Sequence, residues 1–202
     1  MNRTIRAVLF LLVLGAWYAI GYVYSGLQFI PPHFHANFMV YVNSERIDFS
    51  GDKYMEDVEG CSLTGLMNPE DRVHLHENNG DTIHIHDDWV SWGHFFANNG
   101  VTFGSNYLAL DDGTVYTNTA ENKMTFVLNG EIIDNPFNKL INSKDRLYIN
   151  YWNQDAQTII DASSFVSDNA AEYNNKYDPG SCGWNNENAI VVLIHEMFNH
   201  KH

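Results

Sequence analysis

The chain has 202 residues, of which 45% are hydrophobic and 14% aromatic, so it is long enough for one domain with a substantial core and an appendage. It carries 11 basic and 25 acidic residues, a net charge of −14. An acidic surface repels nucleic-acid phosphates, so the composition argues against a nucleic-acid partner.

The first segment, residues 1–26, is predicted to be a membrane anchor. Arg3 and Arg6 precede an uncharged run over residues 7–24, which is long enough to cross a bilayer as a helix. The two arginines favour the cytoplasmic side, which predicts a single-pass protein of the cell membrane with its remaining residues outside the cytoplasm. A cleaved signal peptide is the alternative, although the apolar run is longer than most signal-peptide cores.

A folded domain is expected to follow a short stalk. Residues 27–35 form the stalk, because Pro31 and Pro32 resist helix formation. Residues 36–152 are predicted to be the domain, and residues 153–202 a C-terminal helix and tail packed on it. The domain opens with alternating apolar residues from Ala36 to Val42, a pattern typical of a strand.

The histidine-rich segment "DRVHLHENNGDTIHIHDD", residues 71–88, is predicted to be a β-hairpin. His74 and His76 alternate with apolar residues, as do His84 and His86. Residues two apart on a strand share a face. A three-residue loop over residues 79–81, with Gly80 in the left-handed conformation, would set His76 opposite His84 and bring all four imidazoles to one face.

The elements after this hairpin predict a mixed fold. Residues 87–100 read as a helix that Asp87 or Asp88 caps, with Trp89 on its apolar face and Gly100 at its end. A turn at Asn129–Gly130 indicates another hairpin, and "DRLYINYW" reads as a final core strand. The predicted fold class is therefore α+β, a mainly antiparallel sheet built from hairpins with one or two covering helices.

A cluster of imidazoles on one strand face predicts a transition-metal site. Neutral imidazole is the commonest metal ligand, and nitrogen-rich sites suit zinc or copper rather than calcium or magnesium. Carboxylates of Glu77, Asp87 and Asp88 could ligate the ion or orient the rings. The alternative is a solvent-facing strand face that happens to use histidine. The predicted ligands are His74, His76, His84 and His86 of the hairpin, completed by His33 and His35 at the start of the first strand.

Two cysteines, Cys61 and Cys182, permit one disulfide outside the cytoplasm. Two separate thiols are the alternative. The chain has no C-x-x-C motif, so dithiol redox catalysis lacks its usual signature.

The order of these motifs resembles an uncharacterised family of membrane-anchored, histidine-rich extracytoplasmic proteins of bacteria with reduced genomes and some archaea. The likeness rests on the H-x-H pairs, the "WGHFF" helix, "MTFVLNG" and "DRLYINYW", and spans roughly residues 33–183. The resemblance implies no established reaction. The histidines that match the family pattern best are His33, His35, His74, His76 and His84, whereas His86 stands at a variable position.

The leading functional hypothesis is therefore a membrane-anchored extracytoplasmic protein that binds one zinc or copper ion. A metalloenzyme with three histidines and an open position is the second hypothesis, with Glu77 or Asp87 as a general base. A surface scaffold or adhesion domain without metal is the third. The sequence names no protein partner.

Overall fold

A computed structural model of the chain describes residues 2–28, 32–56 and 68–175. The N-terminal helix belongs to one compact unit, and the domain that starts at Pro32 is another. Cys61 and Cys182 lie outside the described residues, so the predicted disulfide stays a prediction.

The N-terminal segment forms one long helix, α1, over Arg3–Gln28. Its portion Arg3–Val23 has a mean hydropathy of 1.8 and is long and apolar enough to cross a membrane. This confirms the predicted apolar helix. A signal sequence near the N-terminus can also form a helix that meets this criterion of length and hydropathy.

Two sheets make up the β-structure of the domain. The strands are β1 Phe34–Val42, β2 Glu45–Arg46, β3 Val73–His74, β4 Thr82–Ile85, β5 Thr102–Gly104, β6 Tyr107–Ala109, β7 Val115–Thr117, β8 Lys123–Leu128, β9 Glu131–Ile133 and β10 Arg146–Trp152. The main sheet has the order β3-β4-β1-β10-β8-β9, with β2 also paired to β1, and β5, β6 and β7 form the smaller sheet.

Antiparallel pairing dominates the main sheet, as predicted. The exception is the central pair, in which β1 and β10 run parallel. These strands lie far apart in the sequence, and parallel strands need a long crossover connection. No hairpin signal could therefore have revealed that they are neighbours.

One face of the main sheet packs on the principal core. The even-numbered residues of β1 point to this face and meet Ile83 and Ile85 of β4 and the odd-numbered residues of β10. Helix α3, Trp92–Asn98, covers them. Phe38 is almost fully buried there, with ring centroids 4.9 Å from Phe95 and 5.1 Å from Phe49, so aromatic packing joins the helix to the sheet.

Helix α3 begins later than the sequence suggested. Its N-cap is Ser91, whose side-chain oxygen accepts a hydrogen bond from the His94 N–H, rather than Asp87 or Asp88. Trp89 therefore precedes the helix and is 75% exposed, so its predicted place on the apolar face is wrong. The predicted end is right, since Gly100 has a φ of +70°.

The opposite face of the main sheet lies under helices from the C-terminal part of the domain. These are α4, Ala156–Ser163, and α5, Ala170–Tyr173, and they confirm the predicted covering helices. A smaller core of Met39, Val127, Tyr148, Ile159 and Val166 fills the space beneath them. A further short helix, α2, covers Pro69–Arg72 before β3.

The turn at Asn129–Gly130 has the predicted primed form, with φ values of +53° and +85°. The histidine hairpin, by contrast, turns differently from the prediction. Its left-handed residues are Glu77 and Asn78, and the Asn79 N–H donates to the His76 carbonyl. Asparagine tolerates this conformation well, which explains why the turn forms before Gly80.

Gly80 has a different role, because it passes close to another backbone. A Cβ atom at this position would lie 2.6 Å from the Ser50 nitrogen and 2.7 Å from the Phe49 carbonyl carbon. Only a residue without a side chain fits such an approach.

We predict that Gly80→Ala lowers the free energy of unfolding by about 1–3 kcal/mol, because the added methyl group must displace backbone atoms. Urea unfolding of the full chain, followed by tryptophan fluorescence, measures this loss. Gly51→Ala is the matched control, since a Cβ there meets nothing within 4 Å, and it should change stability by less than about 0.5 kcal/mol. Equal effects of the two substitutions would contradict the proposed packing role.

Candidate metal centre

Three histidines stand in one row across three neighbouring strands. In the hydrogen-bonded register, His74 of β3 lies opposite His84 of β4, and His84 lies opposite His35 of β1. Directly opposed residues of antiparallel strands point to the same side of a sheet. The three imidazoles therefore lie together on the face away from the principal core.

The register of the hairpin differs by two residues from the predicted one. His74 faces His84, whereas the three-residue loop would have set His76 opposite His84. A shift of two keeps every side chain on its face, because strand side chains alternate with a period of two. The predicted common face of the four hairpin histidines is therefore right, although the predicted loop is wrong.

The other three histidines flank this row. The ring of His76 lies 3.5 Å from that of His84, and the ring of His86 stacks on that of His33 at 4.8 Å, centroid to centroid. His86 also stacks on His74 at 5.1 Å. The fold thus gathers all six predicted histidines into one cluster.

The cluster is buried. His35 and His84 are each 1% exposed, and His74, His76 and His86 are also buried, while His33 is half-buried. Burial removes the interpretation of these side chains as a solvent-facing polar surface. Histidine is usually found at intermediate exposure, and buried polar side chains need a compensating interaction.

Ring nitrogens converge at the centre of the cluster. The Nε2 atom of His35 lies 2.9 Å from His84 Nδ1, and the Nε2 atom of His76 lies 2.8 Å from the same Nδ1 atom. A second set of ligand atoms, from His33, His35 and His84, lies within 4.8 Å of one another. Zinc holds its nitrogen ligands at roughly 2.0–2.1 Å in a tetrahedron, which places the ligands about 3.3 Å from one another. The group of His33, His35 and His84 could therefore hold a metal ion.

The side chain of Asn174 fixes the protonation of one of these rings. Its Oδ1 atom accepts a hydrogen bond from the His35 backbone N–H at 2.8 Å and lies 2.7 Å from His35 Nδ1. The backbone donor identifies this atom as the amide oxygen, which only accepts. The Nδ1 atom of His35 therefore carries a proton, and in the neutral ring the Nε2 lone pair points at His84.

His35 Nε2 and His76 Nε2 both lie within hydrogen-bond distance of the same atom, His84 Nδ1. A neutral imidazole nitrogen offers either one proton or one lone pair, so His84 Nδ1 cannot form two linear hydrogen bonds, one to each of the neighbouring Nε2 atoms. The group of imidazoles that could share a cation is His33, His35 and His84. The donor set of that group consists of imidazoles alone, which suits a transition-metal ion.

A backbone carbonyl orients a further ring. The Nδ1 atom of His74 lies 3.2 Å from the Glu70 carbonyl oxygen, which belongs to α2 and accepts only, so His74 Nδ1 is a donor. A hydrogen bond from the outer imidazole nitrogen to a carbonyl or amide oxygen is the usual way in which metal-ligating histidines are held.

The carboxylates that the sequence suggested as ligands are engaged elsewhere or lie at the surface. Arg72 Nε donates to Asp87 Oδ2 at 2.8 Å and the Trp89 N–H donates to Asp87 Oδ1. Partial burial raises the pKa of the Asp87 carboxyl, but these two hydrogen bonds outweigh it, so its pKa lies below the usual value. Glu77 sits exposed in the turn, and Asp88 is also exposed.

Three residues that contribute to the cluster were not predicted from the sequence. Asn174 follows α5, and Tyr173, at its end, places its ring 5.5 Å from His35 and 6.0 Å from His84. The amide of Asn37, fully buried, donates to Thr82 Oγ1 and accepts from the Ala170 N–H, which holds α5 against β1. Of these three residues, only Asn37 left a signal in the sequence, because it is a polar residue within the apolar alternation of β1.

His94 lies apart from the cluster. Its Nε2 atom lies 3.1 Å from the Pro69 carbonyl oxygen, and burial followed by the nearby Arg72 charge lowers its pKa. The C-terminal histidines, His195, His200 and His202, lie outside the described residues.

Comparison with known proteins returned no matching family model, no similar curated protein and no similar solved structure. The resemblance to membrane-anchored, histidine-rich proteins therefore stays a prediction. The geometry of the imidazole cluster, which could bind a metal ion, carries the functional argument.

We predict that Asn174→Ala weakens the binding of a transition metal by roughly 10- to 100-fold, because His35 loses the partner that orients its ring. Competition with a chromophoric chelator measures this change. Asn175→Ala is the matched control, since Asn175 is exposed and its side-chain amide donates to the Ala171 carbonyl rather than to a histidine of the cluster. Equal affinities for the parent and Asn174→Ala would contradict the positioning role.

Proposed function

We propose that this protein binds one transition-metal ion, zinc or copper, in the imidazole cluster, while its N-terminal helix anchors it in the membrane with the domain outside the cytoplasm. The observation that carries the proposal is the convergence of His35 Nε2 and His76 Nε2 on His84 Nδ1. A cation shared by ring nitrogens of this buried cluster would account for their close approach.

The choice of metal follows from the ligand atoms. Imidazole nitrogen suits zinc and copper, whereas calcium and magnesium prefer oxygen. The group of candidate ligands around His35 and His84 holds no carboxylate or thiolate. The ligands we infer are His33, His35 and His84 at the centre, with His74, His76 and His86 beside them.

Binding, delivery or sensing of the ion fits this site better than catalysis. A catalytic metal needs an open coordination position and a base in reach of its water. The central rings are almost fully buried. Asp87, a proposed base, is paired with Arg72, and Glu77 points outward from the turn. The metalloenzyme alternative therefore has neither of its two suggested bases at the site.

The location outside the cytoplasm rests on the chain's first residues. Arg3 and Arg6 flank the apolar helix on its N-terminal side and favour the cytoplasm. A cell surface is also where a protein that captures a metal ion meets its ligand first. The strongly acidic composition raises the local concentration of cations and supports that role.

Metal content tests the proposal directly. We expect the full chain, purified in detergent without a polyhistidine tag and reconstituted with zinc or copper, to hold about one equivalent of metal by mass spectrometry. The double variant His35→Ala/His84→Ala should lose the ion. His94→Ala should retain it, because His94 lies outside the cluster and contacts a backbone carbonyl instead.

Thermal unfolding provides the second readout of the same experiment. Metal at about 100 times its dissociation constant should stabilise the parent by about 2.7 kcal/mol, and leave the double variant unchanged. Circular dichroism of the variant establishes that it is folded. A parent chain that takes up neither ion, or a folded double variant that keeps the metal, would falsify the proposal.

Membrane topology has its own test. We predict that cells expressing the protein retain it in the membrane fraction at full mass, because the apolar helix is longer than a signal-peptide core. Protease added to intact spheroplasts should digest the domain, since the basic N-terminal flank stays in the cytoplasm. Recovery of a soluble chain that lacks residues 1–24 would contradict the anchor.

A further inference from the structure

A cavity lies on the helix-covered face of the main sheet, and the clustered histidines are not part of its lining. It has a volume of about 170 Å³ and opens between β1, β10 and the end of α4. Four aromatic side chains line it, together with one buried amide: Tyr41, Tyr148, Trp152, Phe165 and Asn150. None of the six clustered histidines is among the residues that line it.

The strand register builds this cavity around Asn150. On β10, Tyr148 and Trp152 lie two residues to either side of Asn150 and therefore share its face. On the neighbouring strand, Tyr41 lies directly opposite Asn150. The outer wall comes from Phe165, which follows α4 and is 81% exposed. Asn150 is thus the floor, and the aromatic rings are the walls.

The floor carries a hydrogen-bond donor that needs an acceptor. Asn150 is 1% exposed, and its Oδ1 atom accepts from the Tyr148 hydroxyl at 3.3 Å. Burial, and next the neighbouring Tyr41, raise the pKa of Tyr148 to about 12, so this hydroxyl stays protonated. The Asn150 Nδ2 atom, in contrast, has no hydrogen-bond partner among the described residues. A buried donor of this kind is usually satisfied by a ligand or an ordered water.

The aromatic side chains that line the cavity favour a cation, although none of them is charged. No charged side chain is among the described residues that line the cavity. The rings of Tyr41 and Tyr148 meet at 62° with centroids 5.8 Å apart, so they form two walls rather than one flat platform. Aromatic walls of this kind attract quaternary ammonium groups through the negative faces of their rings. The net charge of −14 adds a long-range attraction for cations.

The volume limits the size of the ligand. Pockets for drug-sized molecules or cofactors measure roughly 300–1,000 Å³, well above this cavity. We propose that the cavity binds a small quaternary ammonium solute that carries an oxygen acceptor, a compound of the choline or betaine class, with the ammonium between the aromatic walls and the oxygen at Asn150 Nδ2.

Calorimetric titration of the full chain in phosphatidylglycerol nanodiscs tests this proposal, because that lipid has neither a quaternary ammonium nor a sugar. The titrants are choline, glycine betaine and tetramethylammonium, with 3,3-dimethylbutanol as the uncharged isostere of choline and glucose as a sugar. We expect choline and betaine to bind, and the uncharged isostere to bind at least tenfold more weakly, because it lacks the cation. Prior treatment with a chelator should leave these affinities unchanged.

Two pairs of variants separate the walls from the floor. Phe165→Leu keeps the apolar bulk but loses the ring face, and should weaken choline binding roughly two- to fivefold, whereas Phe165→Tyr should bind as the parent does. Asn150→Leu should weaken betaine binding roughly tenfold and leave tetramethylammonium unaffected. Because Phe165 is exposed, its variants test the site even where Asn150→Leu destabilises the fold.

Several results would overturn the assignment. These are no binding of choline or betaine at millimolar concentration, equal binding of the uncharged isostere, and equal affinities of Phe165→Leu and Phe165→Tyr. Binding of glucose in place of the ammonium compounds would instead make the cavity a sugar site.

Discussion

The alternation of side chains across β3, β4 and β1 is the constraint on which the site depends. These strands place apolar side chains on one face of the sheet and histidine side chains on the other. Burial of the apolar side chains in the core therefore fixes the position of the histidines. Val73, Ile83 and Ile85 lie fully buried in the principal core. A slip of one residue would bring the histidines into that core and expose the apolar residues. Core packing therefore sets the register that aligns the imidazoles.

The histidine row is also buried, because the face of the sheet that carries it is covered as well. An imidazole row facing water would be hydrated and mobile. Here α5 lies against β1, held by the amide of Asn37 at the Ala170 N–H, and brings Tyr173 and Asn174 to the rings of His35 and His84. Water is largely excluded, so ring nitrogens held this close together are costly unless a proton or a metal cation lies between them.

The same sheet face carries two environments of opposite character. At the β3–β4 edge the side chains are basic rings with converging nitrogens, and towards β10 they are neutral aromatic rings around one amide. Both follow from the period of the strands, with Asn37 and Met39 of β1 between them. The segments that follow the two covering helices differ accordingly, since Asn174 after α5 supplies an orienting amide to His35, whereas α4 is followed by the exposed ring of Phe165.

The sequence by itself determined the apolar N-terminal helix, the mainly antiparallel sheet, and the common face of the four hairpin histidines, because local periodicity encodes each of them. It could not determine the loop of that hairpin, since two registers two residues apart satisfy the same pattern. The pairing of β1 with β4, which places His35 beside His84, came only from the tertiary structure. So did the parallel pairing of β1 with β10, which forms the floor of the aromatic cavity. So did the role of Asn174, because contacts between residues 139 positions apart leave no local signal in the chain.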